Sequence, residues 1–245
     1  MKFDHVYLVG AGGTGTHLAD PLVRLMAHHS DGTKNITIID GDHFEEKNEE
    51  RQLFDRQFLN QNKAVATVSR IGVPWVKSIA DFIDKEKFTK LLHKDNVTND
   101  TMILVIMAVD NAATRRDLLE AVEEFNIDNY VVMSPGNSYD SGQLIVQVRQ
   151  SGQMLTARIM DKYANIREPE DHIPGTVEGC MAQIPSTPQL IMANAGAAWC
   201  AQLTITAMLN DAKWHEELHF NGIRMKMKAQ GKPKEFLTPV LQEHQ

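Results

Sequence analysis

The sequence predicts an α/β domain, a mostly parallel sheet flanked by helices with an antiparallel extension from about residue 137. Three observations predict it. A short apolar run, HVYLV at 5–9, passes through GAGGTG at 10–15 into a segment with apolar residues at helical spacing. A second run, ITIID, ends in an acid at Asp40. A third, residues 102–109, is continuously apolar, as expected of a strand buried on both faces of a parallel sheet.

The chain of 245 residues is 42% hydrophobic, enough for a substantial core. Its 25 Lys and Arg against 32 Asp and Glu give a net charge of −7, which argues against a general nucleic-acid binder. No apolar run approaches the roughly 20 residues needed to span a membrane, so no membrane partner is expected. MKFDHVYLVG enters a strand directly and shows no signal-peptide pattern. Two cysteines, Cys180 and Cys200, suggest a reducing compartment, with the cytoplasm as the expected location.

The order strand, glycine turn, helix gives Gly10, Gly12, Gly13 and Gly15 their meaning. In that setting the backbone turns sharply and approaches a phosphate at the positive end of a helix. Leu18, Leu22, Leu25 and Met26 mark the helix; Pro21 predicts a kink or a later start. Asp40, at the tip of the second strand, is placed to accept from a ribose hydroxyl. To this point NAD and ATP fit equally well.

The next segment separates them. DGDHFEEKNEERQ at 40–52 brings Asn48, Arg51 and Gln52, and Lys63 follows. An NAD enzyme has little use for two cations just past the ribose acid. A triphosphate has, because Arg offers a planar fork and Lys a point charge to phosphate oxygens. The strand at 102–109 ends in Asp110-Asn111, at the carboxyl edge where ligands bind in such folds, with Arg115 in the helix beyond. A carboxylate there is a natural Mg²⁺ ligand beside phosphates.

Taken in order, GAGGTG, D-x-D with x-x-N-x-x-R-Q, a lysine, and D-N-x-x-x-R resemble the motif series of the ThiF/MoeB/HesA proteins, bacterial relatives of ubiquitin-activating enzymes. The resemblance runs from residue 5 to about 145. It implies a Rossmann-like fold and ATP-dependent adenylylation of a carboxylate, at the C-terminus of a small ubiquitin-like carrier protein. Gly10, Gly12, Gly13 and Gly15 would shape the nucleotide loop, and Asp40 would hold the ribose. Asn48, Arg51 and Lys63 would hold the triphosphate with Gln52 in support. Asp110 would bind magnesium, with Asn111 beside it. VVMSPGNSYDSGQLIVQV resembles the family's small-residue turn and following strand. RQLFDRQFLNQNKA, Trp75 and CMAQIPSTPQLIMAN resemble the ThiF-type member of the PRTRC system. The resemblance, with apolar stretches such as 187–210, also implies a homodimer.

The organisation expected is one domain: a nucleotide-binding core over 1–136, an extension over 137–228 and a loosely attached polar tail over 229–245. Within the extension, a crossover loop of about 149–187 is polar and broken by Gly and Pro. Cys180 falls where some family members carry a cysteine that forms a covalent sulfur intermediate. The following helix start favours a thiolate there; Glu178 and the lack of nearby cations oppose it. Cys200 reads as packing.

Two departures from the family stand out. The Cys-x-x-Cys pairs of a structural zinc are absent, so no zinc is expected. The N-terminal helix whose arginine reaches a partner's triphosphate has no counterpart before the first strand, so that contact must be replaced or lost. Acceptors other than a carrier protein, a peptide or small-molecule carboxylate, stay open, as does a non-catalytic nucleotide-binding partner. WHEELH at 214–219 contains the H-E-x-x-H pattern of metalloproteases, but the residues after it alternate like a strand, which separates His215 from His219. His28 and His29 should close the first helix, and His172 lies in the crossover. Glu45, Glu46, Glu49 and Glu50 read as a solvated face.

Overall fold

The computed structural model describes residues 1–30, 32–53, 55–174 and 190–237. Their strands form a single sheet in the order β3-β2-β1-β4-β5-β6-β8-β9, with β7 added on β6. β1 (His5–Val9), β2 (Ile36–Ile39), β3 (Val76–Ile79), β4 (Ile103–Met107) and β5 (Tyr130–Asn137) run parallel. Chain direction reverses at the turn after Asn137. β6 (Ser141–Gln150), β7 (Gln153–Met154), β8 (Glu217–Asn221) and β9 (Lys226–Gln230) are antiparallel.

The long apolar runs are explained by two-sided burial. In β1, Val6 and Leu8 face one core and Tyr7 and Val9 the other. The first core holds the apolar faces of α1 (Gly13–His28) and α7 (Ile191–Leu209). The second holds α3 (Lys85–Lys94) and α4 (Ala112–Glu124). α2 (Lys63–Ile71) packs beside the edge strand β3.

Several expectations are corrected. α1 does not begin late: it runs from Gly13 to His28 with Pro21 inside it. The crossover expected over 149–187 is structured in its first part. β6 extends to Gln150, turns into β7, and is followed by the single-turn helices α5 (Ile159–Lys162) and α6 (Ala164–Arg167). Its later part, 175–189, lies outside the described residues.

The polar tail expected from residue 229 is held through Leu237, because β9 runs across that boundary and the chain then folds back. Lys234 bridges to Trp214, and Phe236 packs on the Trp214 ring at 5.7 Å. Leu237 exchanges backbone bonds with the Gln150 amide at 2.7 and 3.1 Å.

The H-E-x-x-H reading is excluded by geometry. His219 sits in β8 opposite Gln143, whereas His215 precedes that strand. No group of three His, Cys, Asp or Glu placed to hold a metal ion occurs among the described residues. Among those residues, no helix is long and apolar enough to cross a membrane.

Candidate functional site

The carboxyl ends of β1, β2, β4 and β5 meet at one edge, and the strand order reverses between β1 and β4. A crevice at that switch point is where open α/β sheets bind ligands. The glycine loop fills it. Gly10 has φ +95, and a Cβ there would lie 2.4 Å from the Ala108 carbonyl oxygen at the end of β4. A Cβ on Gly15 would lie 1.9 Å from the Gly10 carbonyl oxygen. Sterics therefore fix both positions. Gly12 differs: a Cβ there would make only an ordinary contact, with Gln52 Nε2 at 3.9 Å.

The start of α1 also differs from the other long helices of the parallel half. α2, α3 and α4 are capped by the side chains of Asn62, Asp84 and Asn111. The N-cap residue of α1 is Gly12, which has no side chain to offer, and the first turn carries no acid. Its first N–H groups are thus left for an anion, at the positive end of the helix.

Asp40, directly after β2, closes one side of the crevice. Its carboxylate accepts from the N–H of Ala11 at 2.6 Å and of Asp42 at 2.8 Å. Burial pushes its pKa up; Lys63 and the two N–H groups oppose this. The β2 end is bolted to the start of α2, where Asn62 Nδ2 donates to the carbonyls of Asp40 at 2.8 Å and Asp42 at 3.0 Å. This places Lys63, whose buried ammonium lies 3.1 Å from the Asp42 carboxylate.

Asn48 is buried in a 3-10 turn, Glu46–Asn48. Its Oδ1 accepts from the Glu45 N–H at 3.0 Å, and its carbonyl accepts from the N–H groups of Arg51 at 3.1 Å and Gln52 at 2.9 Å. Asn48 therefore shapes the turn that sets Arg51, which is partly buried, and Gln52, which is fully buried. The turn is tied to α1 through Thr16. The Thr16 hydroxyl accepts from the Leu53 N–H at 3.1 Å and donates to the Gly12 carbonyl at 2.8 Å. Gln52 Oε1 is buried with no partner. The nearby glutamates are solvent-facing: Glu49 pairs with Arg56 at 2.8 Å and Glu45 with Lys47 at 2.7 Å.

Asp110 is exposed at the mouth, and Asn111 caps α4 through a 2.7 Å bond from the Thr114 N–H. Arg115 acts as a clamp. Its guanidinium donates to the carbonyls of Val109 at 2.5 Å and Pro135 at 2.9 Å and to the Ser134 hydroxyl. Burial pushes its pKa down to about 10, against the pull of Asp110 and Asp171.

Three contributors escaped the sequence reading. Asp42 is the partner of Lys63. Asp171, from the crossover, accepts from the N–H groups of Ala112 at 2.7 Å and Ala113 at 2.8 Å. Asn194, from α7, lies against Gly13, where a Cβ would be 2.2 Å from its Oδ1. Only Asp42 carried a signal, in the D-x-D spacing after the second strand. Cys180 lies outside the described residues. Cys200 is buried in α7, and burial pushes its thiol up to about 11, which suits packing. His172 is exposed beside Asp171.

Fold and site together define an α/β protein of the nucleotide-binding architecture, with an uncapped glycine loop at its topological switch point. The chain belongs to the ThiF family, whose match covers residues 1–232. Among solved structures, that of PaaA is similar at 13% identity and TM-score 0.59, covering 94% of this chain and 64% of PaaA. Escherichia coli MccB with AMPCPP and MccA is similar at 18% identity and TM-score 0.58, covering 97% of this chain and 65% of MccB. MccB with ATP matches at 19% identity and TM-score 0.56, covering 98% of this chain and 66% of MccB. The chain thus spans about 65% of the length of these structural neighbours. Comparison with curated proteins by sequence finds no match.

Proposed function

We propose that this protein binds ATP at the glycine loop and adenylylates a carboxylate, that of the C-terminus of a small ubiquitin-like carrier protein. One observation carries the reading: the first N–H groups of α1 have neither a side-chain cap nor an acid in the first turn, at the sheet's switch point. Gly12 leaves room for a phosphate beside them. The family and the MccB structures with ATP and AMPCPP support it. MccB is also seen with N-formylated MccA, which favours a peptide carboxylate as the second reading for the acceptor.

ATP supplies the α-phosphorus to which a carboxylate oxygen bonds as pyrophosphate leaves. The residues position and neutralise. Asp40 spends one lone pair of each oxygen on backbone N–H groups, which keeps it oriented and leaves further acceptor capacity for ribose hydroxyls. Lys63 has three N–H donors; Asp42 takes one, and the others are available to phosphate oxygens. Arg51, set by the Asn48 turn, adds a second cation, so charge developing on the leaving oxygens is stabilised. Asp110, an exposed carboxylate just past the end of β4, fits Mg²⁺, which usually takes one or two carboxylates and completes its shell with phosphate and water.

A homodimer belongs to the same reading. Met192 and Trp199, two turns apart on one face of α7, are 67% and 57% exposed, an apolar stretch that a second copy would cover. Light scattering at micromolar concentration that returns a monomer counts against it.

The test of function has two stages. Mg-ATP should raise the melting temperature, because a ligand of the native state stabilises it, and NAD should do much less. Pyrophosphate exchange into ATP should then depend on an added carrier with a free C-terminal carboxylate. Greater stabilisation by NAD than by Mg-ATP at equal concentration sinks the proposal.

A further inference from the structure

Successive glycines at the start of α1 are each flanked by a buried amide, Gln52 beside Gly12 and Asn194 beside Gly13. Asn194 is the more telling. It is 2% exposed, and its Nδ2 has no hydrogen-bond partner. Its Oδ1 accepts from the Thr14 hydroxyl at 3.4 Å and from Asn137 Nδ2 at 3.3 Å, and Thr14 also reaches Asn137 Oδ1 at 3.4 Å. All three bonds lie beyond the usual range. A loose polar triad with an unpaired buried donor costs stability. Three elements distant in the chain, α1, β5 and α7, nevertheless converge to build it.

Its place in the sheet suggests what it holds. The order β2-β1-β4-β5 puts Asp40 and Lys63 on one side of the glycine loop and Asn137, at the carboxyl end of β5, on the other. Displacement at phosphorus needs the attacking and leaving oxygens roughly in line. With Arg51 and Lys63 taking the leaving pyrophosphate, the nucleophile enters from the β5 side.

We propose that Thr14, Asn137 and Asn194 form the subsite for the reacting carboxylate of the acceptor, a role that rests on the adenylylation reading above. Neutral amide and hydroxyl donors orient a carboxylate without cancelling the charge that makes it nucleophilic. The step balances without a proton or electron carrier: one carboxylate oxygen bonds to the α-phosphorus, and the bond to pyrophosphate breaks with its electron pair. Asn194 Nδ2 then gains the acceptor it lacks.

The probe is N-acetylsulfamoyl adenosine, which carries the acyl carbonyl common to every acyl adenylate, compared with AMP and Mg-ATP by calorimetry. The wild-type protein should bind the acyl mimic more tightly than AMP. Asn194→Ala and Asn137→Ala should weaken the mimic about tenfold and change Mg-ATP by less than about twofold. The isosteric Asn194→Asp, which keeps the shape and replaces the donor by a negative charge, should weaken the mimic at least as much while remaining folded. Equal weakening of Mg-ATP and mimic reassigns the triad to the phosphates and overturns the inference, as does unchanged mimic binding. A wild-type protein that binds neither Mg-ATP nor AMP removes the nucleotide reading itself, a distinct result that overturns both.

Discussion

The Asp171 carboxylate sits astride the N-terminus of α4, accepting from the Ala112 N–H at 2.7 Å and, through its other oxygen, from the Ala113 N–H at 2.8 Å. It ties the segment before residue 175 to the helix that follows Asp110. A carboxylate there satisfies two otherwise orphan donors and complements the helix dipole. Asp171→Ala should destabilise the protein by about 1 kcal/mol, the usual cost of losing a helix N-cap, and Asp171→Asn by less. Urea unfolding measures both; wild-type midpoints in both variants would show that the contact contributes nothing.

Gly12 and Gly13 predict opposite phenotypes. A methyl at Gly12 meets nothing nearer than Gln52 Nε2 at 3.9 Å, an ordinary contact, and φ there is −85. Gly12→Ala should lower the melting temperature only slightly, as Ala is a poorer N-cap than Gly, and lose most of the shift produced by Mg-ATP, because the methyl would occupy the place proposed for the phosphate. Gly13→Ala drives a methyl into Asn194 and should itself lower the melting temperature. A Gly12→Ala protein that responds fully to Mg-ATP would refute the loop's assignment.

Arg51 and Asp110 separate binding from turnover. On the proposed role, Arg51→Ala would remove a phosphate contact, so the fold should persist while ATP affinity or turnover falls tenfold or more, in keeping with about 1.5–3 kcal/mol for a charged hydrogen bond. Asp110→Ala should chiefly depress Mg-dependent exchange. Wild-type exchange rates in both variants would remove the roles given to them.

His17 should make the protein acid-sensitive. Burial, with Arg70 adding to it, pushes its pKa below the ordinary value, and its Nε2 is buried without a partner. The folded state therefore holds the imidazole neutral while the unfolded chain takes up a proton near pH 6.5. Stability is fully present above that pH and is lost as pH falls through it. Unfolding midpoints at pH 7.5 and 5.5 should differ less in His17→Gln than in the wild type; an equal pH response in the two proteins would assign the sensitivity elsewhere.

The sequence by itself determined the parallel core and one wall of the crevice. Buried strands show as continuous apolar runs, and the loop glycines, Asp40, Asn48, Arg51, Gln52 and Lys63 fall at short spacings from the ends of those strands and at helix starts. Such signals are local, so backbone geometry alone places the residues near one another. Tertiary structure decided the rest. Lys63 is aimed by Asp42 across the junction of β2 with α2, and the Asp171 contact spans 59 residues. Asn194 reaches Thr14 across 180 residues only because α7 packs on α1. An asparagine within an apolar helix carries no local mark of its partner, since that partner is chosen by which face the helix buries and against what. The crossover and tail were misread for the same reason: polar, Gly- and Pro-containing segments resemble loops until their hydrogen bonds to distant strands are known.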